Sequence, residues 1–353
     1  MHPRVRLYGL ASGNTSFARV TAGMREGLEA CGELAGFVPV DRLDDDEAVY
    51  DGFGAPIGVF VGPPPLVGAM LSRGMHRRRY CLLPPNSSWM PEALVRAVRK
   101  QVTDLLGPSR FACDVLRSYA ERRLVNEKGE ALRTGVSLWQ HGVSSAFAWK
   151  PLSPELRGKP FTAIHFASTA RQRKGTAEVI QAWTNLVLRR ALGSLPTLRI
   201  VLDGPEKAFA DLVAQDVGIV VERPLNLPAA AMADLYRSVH VVVQPSRGEG
   251  FGLCPLEARC CGAVVVATAC TGHAEYLSPL DYLCVKTGEL APIDDGPGAM
   301  APSLRVEDVA RALNNAFTLW SNPHARLYDP DMWKTWTWKN VTADWIAREE
   351  VTW

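Results

Sequence analysis

Two glutamates, Glu249 and Glu257, stand eight residues apart in the run Pro245-Ser246-Arg247-Gly248-Glu249-Gly250-Phe251-Gly252-Leu253-Cys254-Pro255-Leu256-Glu257-Ala258. They flank a glycine turn whose backbone can adopt positive φ and let a ligand approach closely. Leu253 to Cys261 reads as a helix that opens from this turn. A helix start offers unbonded N–H groups and a partial positive charge to an anion. The chemistry implied is the holding of a phosphate with a carboxylate on each side, which suits a nucleotide sugar.

The element that must lead into the turn is Val239 to Val243, a short β-branched run ended by Pro245, hence a buried strand. The same alternation recurs through the second half. Strands are predicted at Thr162–Phe166, Leu198–Leu202, Gly218–Val221 and Ala263–Ala267. Helices are predicted at Thr176–Leu192, Phe209–Asp216 and Ala229–Ser238. Glu289 to Pro302, rich in Pro, Gly and Asp, reads as a surface loop, and Val306–Trp320 as a helix.

The first half alternates too, with strands at Val5–Leu10, Phe37–Val40, Ile57–Val61 and Tyr80–Leu83. Helices are predicted from Ser16 to Cys31, around Leu66–Met75, and from Pro91 to Leu106. The last carries Leu94, Val95, Val98, Val102 and Leu105 as an apolar stripe. Prolines and glycine at 151, 154, 158 and 160 mark a linker near Trp149–Pro160. At 353 residues, two domains are expected. Strand–helix alternation on both sides of the linker predicts two doubly wound, Rossmann-like α/β domains facing a cleft.

A second motif follows the strand Thr162–Phe166. The loop Ala167-Ser168-Thr169-Ala170-Arg171-Gln172-Arg173-Lys174-Gly175-Thr176 is basic, closed by Gly175 and capped by Thr176. It can place Lys174 as a point charge, and Arg173 or Arg171 as a fork, on a diphosphate. On its own an Arg-Lys-Gly run is as readily a solvated surface; its position at a strand end beside the glutamate turn is what gives it meaning.

With these residues together, the chain resembles the retaining glycosyltransferases of family 4, of the two-domain GT-B fold. Four stretches carry the resemblance: Glu249 to Glu257 preceded by Gln244-Pro245-Ser246, Arg173-Lys174-Gly175, Gln140-His141-Gly142-Val143 with Pro108-Ser109-Arg110-Phe111 upstream, and Thr335-Trp336-Thr337-Trp338 running to Asp344-Trp345. The last is similar to the family's terminal cross-over helix. The expected domains are therefore 1–150 on the acceptor side, 151–330 for the nucleotide sugar, and 331–353 crossing back onto the first domain. Five of the ten tryptophans fall in the last 21 residues, a density that calls for burial.

The resemblance implies roles. Glu249 would hold hydroxyls of the donor sugar near the anomeric carbon, and Glu257 the ribose hydroxyls. Gly250, Phe251, Gly252 and Leu253 would present backbone N–H groups to sugar and phosphate. Lys174 would neutralise the leaving diphosphate, and Gly13 would approach the phosphates from the first domain. The arginine that the family carries six residues before the motif lysine is Ser168 here, with Arg171 or Arg173 to substitute for it. On the acceptor side Asn86 or Ser87 would face the substrate, while His76, beside Arg77-Arg78-Arg79, reads as a surface residue.

The expected activity is transfer of glucose or a similar hexose from a nucleoside-diphosphate sugar to an acceptor hydroxyl with retention. Neither a metal nor another cofactor is required, and Asp44-Asp45-Asp46 reads as a solvated loop. Uridine, guanosine and adenosine all fit as the base, UDP-glucose among the donors, with Glu222-Arg223-Pro224-Leu225-Asn226 placed to meet it. Alternative readings are a DNA glycosyltransferase acting on a hydroxymethylated base and a catalytically idle nucleotide-sugar-binding module.

Composition bounds the partners. Net charge is +2, which by itself calls for no polyanion, yet residues 73–133 hold thirteen Lys or Arg against six Asp or Glu. That excess fits a solvated surface, a membrane-surface patch or a nucleic-acid footprint. The acceptor is left among DNA, lipid, glycan and small molecule. No apolar run approaches the roughly 20 residues of a membrane span, and the N-terminal sequence lacks a signal peptide's apolar core. A soluble cytoplasmic protein is expected, its eight cysteines reduced.

Overall fold

A computed structural model describes residues 3–11, 16–39, 55–63, 71, 76–125, 129–150, 156, 158–167, 171–202, 217–223, 227–278, 283–321 and 330–350. The chain divides into two compact units, residues 1–144 with 334–353, and residues 145–333. Each is an α/β unit built on its own six-stranded parallel sheet. The predicted helix at 209–216 lies outside the described residues, and of the one around 66–75 only Leu71, helical and buried, is described.

In the first unit the strands are β1 Val5–Gly9, β2 Leu34–Pro39, β3 Ile57–Val61, β4 Arg78–Leu82, β5 Asp104–Gly107 and β6 Gly135–Leu138, in the order β2-β1-β3-β4-β5-β6. The helices described are α1 Ser16–Ala30, α2 Glu92–Arg99 and α3 Arg110–Ala120. The helix expected from Pro91 to Leu106 stops at Arg99. Its stripe continues into β5, where Leu105 and Leu106 are consecutive and fully buried. A central parallel strand covered on both faces requires such a pair, and a helix does not. Helix α3 starts at Ser109, whose hydroxyl accepts the Ala112 N–H at 3.0 Å.

The second unit carries β7 Thr162–Phe166, β8 Thr197–Val201, β9 Ile219–Glu222, β10 Val241–Gln244, β11 Val264–Thr268 and β12 Cys284–Val285, in the order β12-β11-β10-β7-β8-β9. Around them lie α4 Arg171–Lys174, α5 Thr176–Leu188, α6 Ala229–Arg237, α7 Leu253–Cys260 and α8 Val306–Ser321. Val241, Val242, Val243, Val264 and Val266 are fully buried, as both faces of a central parallel strand must be. The expected surface loop at 289–302 is instead mostly an antiparallel hairpin, β13 Thr287–Pro292 with β14 Met300–Leu304. Its Pro- and Gly-rich composition serves the turn and the exposed strand β13, while β14 buries Ala301 and Leu304.

Residues 334–350 belong to the first unit. After α9 Met332–Thr335, helix α10 Trp338–Glu350 packs on α1. Gly23 and Gly27 make the approach possible: a methyl group at Gly23 would stand 1.9 Å from the Trp338 ring, and one at Gly27 2.7 Å from the Trp338 carbonyl. Trp345 stacks on Trp139 with ring centres 4.1 Å apart, both fully buried or nearly so. Glu349 anchors the far end. It accepts from the Tyr80 hydroxyl at 2.6 Å and the Ser137 hydroxyl at 2.5 Å, and lies 3.5 Å from Arg78 Nη1. Burial, and then this carboxylate, push the Tyr80 phenol far above its ordinary range. No helix among the described residues is long and apolar enough to cross a membrane.

Candidate active site

In the second sheet β7 is followed outward on one side by β8 and β9, and on the other by β10 and β11. The order therefore reverses between β7 and β10, and ligands in open parallel sheets bind at the carboxyl ends of such a pair. The two motifs read from the sequence are the segments that leave those ends. His165 in β7 fixes the junction. One ring nitrogen donates to the Val243 carbonyl at 2.8 Å, and the other meets the Thr176 hydroxyl at 2.9 Å. Burial lowers its pKa to about 4, so the ring is neutral.

The β7 side continues as the short helix α4, Arg171–Lys174, rather than a loop. Gly175 then turns the chain with φ +69° and caps α5, while Thr176, the expected cap, is its first helical residue. A side chain at Gly175 would collide with the Pro245 carbonyl at 2.7 Å, so glycine is required twice, for conformation and for contact. On the β10 side Gly252, φ +85°, caps α7, and Pro255 occupies its first turn.

Between them sits Glu249, 8% exposed. Lys174 Nζ lies 2.5 Å from its Oε1 and Arg173 Nη1 3.0 Å from the same oxygen. Burial pushes this carboxyl up, but Lys174 and Arg173, with a smaller contribution from His273, hold it well below the usual carboxylate range. Glu249 is thus an ionised, buried acceptor group. The Arg173 guanidinium also donates to the Gly248 carbonyl at 2.6 Å, and its backbone carbonyl receives the Arg247 N–H at 2.7 Å. Arg173 therefore braces the glutamate loop from within the protein. Lys174 is the more exposed of the two cations.

Glu257 is 3% exposed and accepts the Tyr236 hydroxyl at 3.0 Å. Gly250 and Phe251 are buried, Phe251 against Tyr276 with ring centres 5.6 Å apart. Gly252 and Leu253 are half-buried at the helix start. The structure thus brings Arg173, Lys174, Glu249 and the glycine turn together at one sheet edge, with Glu257 one helical turn beyond.

Other expected residues fall elsewhere. Gly13, Ser168, Asp44–Asp46 and Pro224–Asn226 lie outside the described residues. Arg171 is described in its backbone alone. Glu222 ends β9 and is held by a two-pronged pair with Arg199 at 2.7 and 2.9 Å. Ser87 is fully buried, its hydroxyl accepting the Trp89 N–H at 3.3 Å, so it faces its own turn. Asn86, half-buried, follows the carboxyl end of β4. His76, expected at the surface, is buried. It lies 2.7 Å from the Tyr8 hydroxyl and 2.9 Å from the Ala55 carbonyl, because a glycine at 58 admits the imidazole against β3.

The residues that sequence reading did not single out come from the segment after β11. Thr271, in the left-handed region at φ +51°, receives the Glu249 N–H on its hydroxyl at 3.1 Å. A β-branched residue there is strained, and the contact that compensates is to the site. Gly272 N–H donates to the Glu249 carbonyl at 2.9 Å. His273 is fully buried with Nδ1 3.1 Å from the Thr268 carbonyl, its Nε2 without a partner, and its ring against Gly252. Burial brings its pKa to about 4. Tyr276 donates to the Gly252 carbonyl. Beyond these, Asp295 in the β13–β14 turn stands 4.0 Å from Arg173 Nε. A histidine just after a strand was the one available signal for this segment. Among the described residues no group of three or more His, Cys, Asp or Glu is placed to hold a metal ion.

A family model described as "Glycosyl transferases group 1" matches residues 161–306, which include both motifs. A curated D-inositol 3-phosphate glycosyltransferase of Arthrobacter sp. (strain FB24) is 34% identical over 132 residues, 35% of this chain and 31% of the relative. The alignment thus spans about a third of that relative's length. Among solved structures, sucrose-phosphate synthase from Thermosynechococcus elongatus superposes with TM-score 0.66 at 12% identity, covering 99% of this chain and 100% of the other. The pneumococcal O-GlcNAc transferase GtfA, solved with UDP and GlcNAc, gives TM-score 0.52 at 14% identity over 84% of this chain and 57% of the other. The whole chain therefore has the GT-B fold. Its second unit resembles the glycosyltransferases of group 1, the family-4 type.

Proposed function

We propose that this protein is a retaining, metal-independent glycosyltransferase that moves a hexose from a nucleoside-diphosphate sugar to an acceptor hydroxyl. The observation that carries the reading is the buried Glu249 carboxylate, held ionised by Lys174 and Arg173 at the point where the sheet order reverses. A buried anion is a costly feature to maintain, and a strongly perturbed carboxylate at a strand edge points to function.

In this reading Glu249 accepts hydrogen bonds from donor-sugar hydroxyls, and Glu257, steadied by Tyr236, takes those of the ribose. The glycine turn Gly250–Gly252 and the start of α7 receive the diphosphate. Lys174 exchanges from Glu249 onto the phosphate as negative charge builds on the leaving group, and fixed donors aimed there lower the barrier. Arg173 holds the loop in shape. Retention follows from departure and attack on the same face, with the leaving phosphate accepting the acceptor's proton, so no side-chain nucleophile enters. UDP in the GtfA structure favours uridine as the base, and glucose or a similar hexose remains the expected sugar. The acceptor of the Arthrobacter relative does not carry over, because the family match covers the second unit alone. The protein is read as soluble and cytoplasmic.

A thermal-shift panel of UDP, GDP, ADP and their sugars tests this. A ligand at 100 times its dissociation constant adds about 2.7 kcal/mol of stability. Stabilisation by one diphosphate series, lost in Glu257→Ala, together with donor hydrolysis lost in Glu249→Ala, is the expected result. Nucleotide binding with no turnover would return the chain to an idle binding module, and no binding at all would end the proposal.

A further inference from the structure

Four of the thirteen basic residues of 73–133 line one cavity. A recess of about 470 Å³ opens at the end of α3, lined by Arg117, Arg122, Arg123 and Arg133 around an apolar floor that includes Leu124 and Val136. Among the described residues Glu121 is the one acidic residue of its lining. A smaller recess adjoins it, sharing Arg122 and Arg123 and adding Arg96. Residues 121–124 and 131–134 form one wall, joined by the Leu132 N–H donating to the Leu124 carbonyl at 2.8 Å. This wall lies at the amino end of β6, the edge of the sheet opposite the one where such folds bind their substrates. It belongs to the first unit, whereas Glu249 and Lys174 belong to the second.

The end of a helix ordinarily repels anions, because its last carbonyls carry partial negative charge. Here Arg99, 5% exposed, cancels that charge. Its guanidinium donates to the Tyr119, Ala120 and Arg122 carbonyls at 2.6, 2.7 and 3.0 Å. Of the four lining arginines, Arg117 is paired with Asp114 at 2.6 Å and Arg122 with Glu92 at 2.9 Å. Among the described residues Arg123 and Arg133 have no carboxylate partner. Two planar guanidiniums with no carboxylate partner among the described residues, in a concavity whose helix end has been neutralised, suit the several oxygens of a tetrahedral phosphoryl group.

We propose that this cavity is a second anion site, distinct from the donor site, that binds a phosphoryl group through Arg123 and Arg133. The phosphoryl group is carried either by a small soluble molecule or by the headgroup of an anionic lipid.

The test uses the full chain and inorganic pyrophosphate, measured by titration calorimetry, with flotation on phosphatidylcholine vesicles with and without phosphatidic acid. Wild type binds pyrophosphate at two separable sites, one removed by Lys174→Met and the other by Arg123→Ala/Arg133→Ala. The double variant loses at least about tenfold in affinity at its site, and Arg123→Lys/Arg133→Lys recovers part of it. Both arginines are exposed, so an unchanged melting temperature accompanies the loss. Pyrophosphate binding without vesicle capture assigns the site to a soluble phosphate. Capture by phosphatidic acid vesicles that the double alanine variant abolishes assigns it to a lipid. Binding of both probes unaltered by the double alanine variant overturns the proposal. The Lys174→Met arm reports separately on the donor site, so the two readings fail independently.

Discussion

Lys174 and Glu249 are 75 residues apart in the chain and 2.5 Å apart in space. The pair joins the segment leaving β7 to the segment leaving β10, and Arg173 doubles it on the same carboxylate oxygen at 3.0 Å. Two cations on one buried carboxylate keep it ionised well below its ordinary titration range. The more exposed of them, Lys174, is the one free to change partner without the loop collapsing.

Lys174→Met is expected to lower sugar transfer about 10²- to 10³-fold, the usual cost of one donor to developing charge. Removing one partner of a buried pair costs about 3–5 kcal/mol, and the remaining Arg173 places this case at the low end. Glu249→Gln added to Lys174→Met restores stability but not activity. Urea unfolding of the two single variants and the double closes the cycle. Strict additivity of the two losses would show that the pair is not coupled.

Acid stability reports on the buried histidines. His165 and His273 have folded pKa values lowered from 6.5 to about 4. Between those pH values the unfolded chain binds a proton that the folded chain does not. Stability is therefore intact above 6.5 and falls as pH drops towards 4, by up to about 1.4 kcal/mol per pH unit for each histidine. His165→Gln should flatten that slope when unfolding is followed across this range. Glu249 acts lower: its depressed pKa gives a contribution present above its ordinary 4.5 and lost as pH falls further. A stability advantage of wild type over Glu249→Gln that persists unchanged well below pH 4.5 would contradict the assignment.

Gly272→Ala tests the floor of the site. The added methyl would stand 2.5 Å from Phe251 Cα and 2.6 Å from the Glu249 carbonyl oxygen, against backbone that cannot step aside. The glutamate loop must move instead. Donor hydrolysis should fall at least about tenfold, since small misplacements at a reacting centre are costly. Retained full activity, with a crystal structure showing the loop unmoved, would refute this.

Glu349→Ala removes the acceptor shared by the Tyr80 and Ser137 hydroxyls. The buried Tyr80 hydroxyl is left without that partner, and a loss of about 1–3 kcal/mol is expected. Limited proteolysis should cut first in the segment 334–350. Donor binding to the second unit, measured by calorimetry with UDP, should be unaffected.

The glutamate turn was legible because its conformation is written in residue type: glycines where φ is positive at 252 and proline in the first helical turn at 255. The Arg173-Lys174-Gly175 run was legible for the same reason at Gly175, though not as the short helix it forms. What sequence reading lost shares a different cause. His273 and Thr271 act on Glu249 across more than twenty residues, and nothing local in Cys270–Glu275 records that partner. Strand β5 was hidden because Val102 and Leu105 continue the spacing of Leu94 to Val98, so one helical stripe ran through a chain reversal. His76 was masked by three neighbouring arginines, while its burial depends on the space left by Gly58 in another strand. Strand β13 is almost wholly exposed, so no alternation of apolar residues announced the hairpin β13–β14.

Helix α10 has a consequence for how this chain is made. The first unit lacks the helix that covers Gly23 and Gly27 until every residue of the second has been synthesised. The second unit, contiguous from 145 to 333, can complete its sheet as it emerges from the ribosome. The unit encoded first is therefore the unit finished last, and during translation its exposed α1 seam is the surface a chaperone would have to guard.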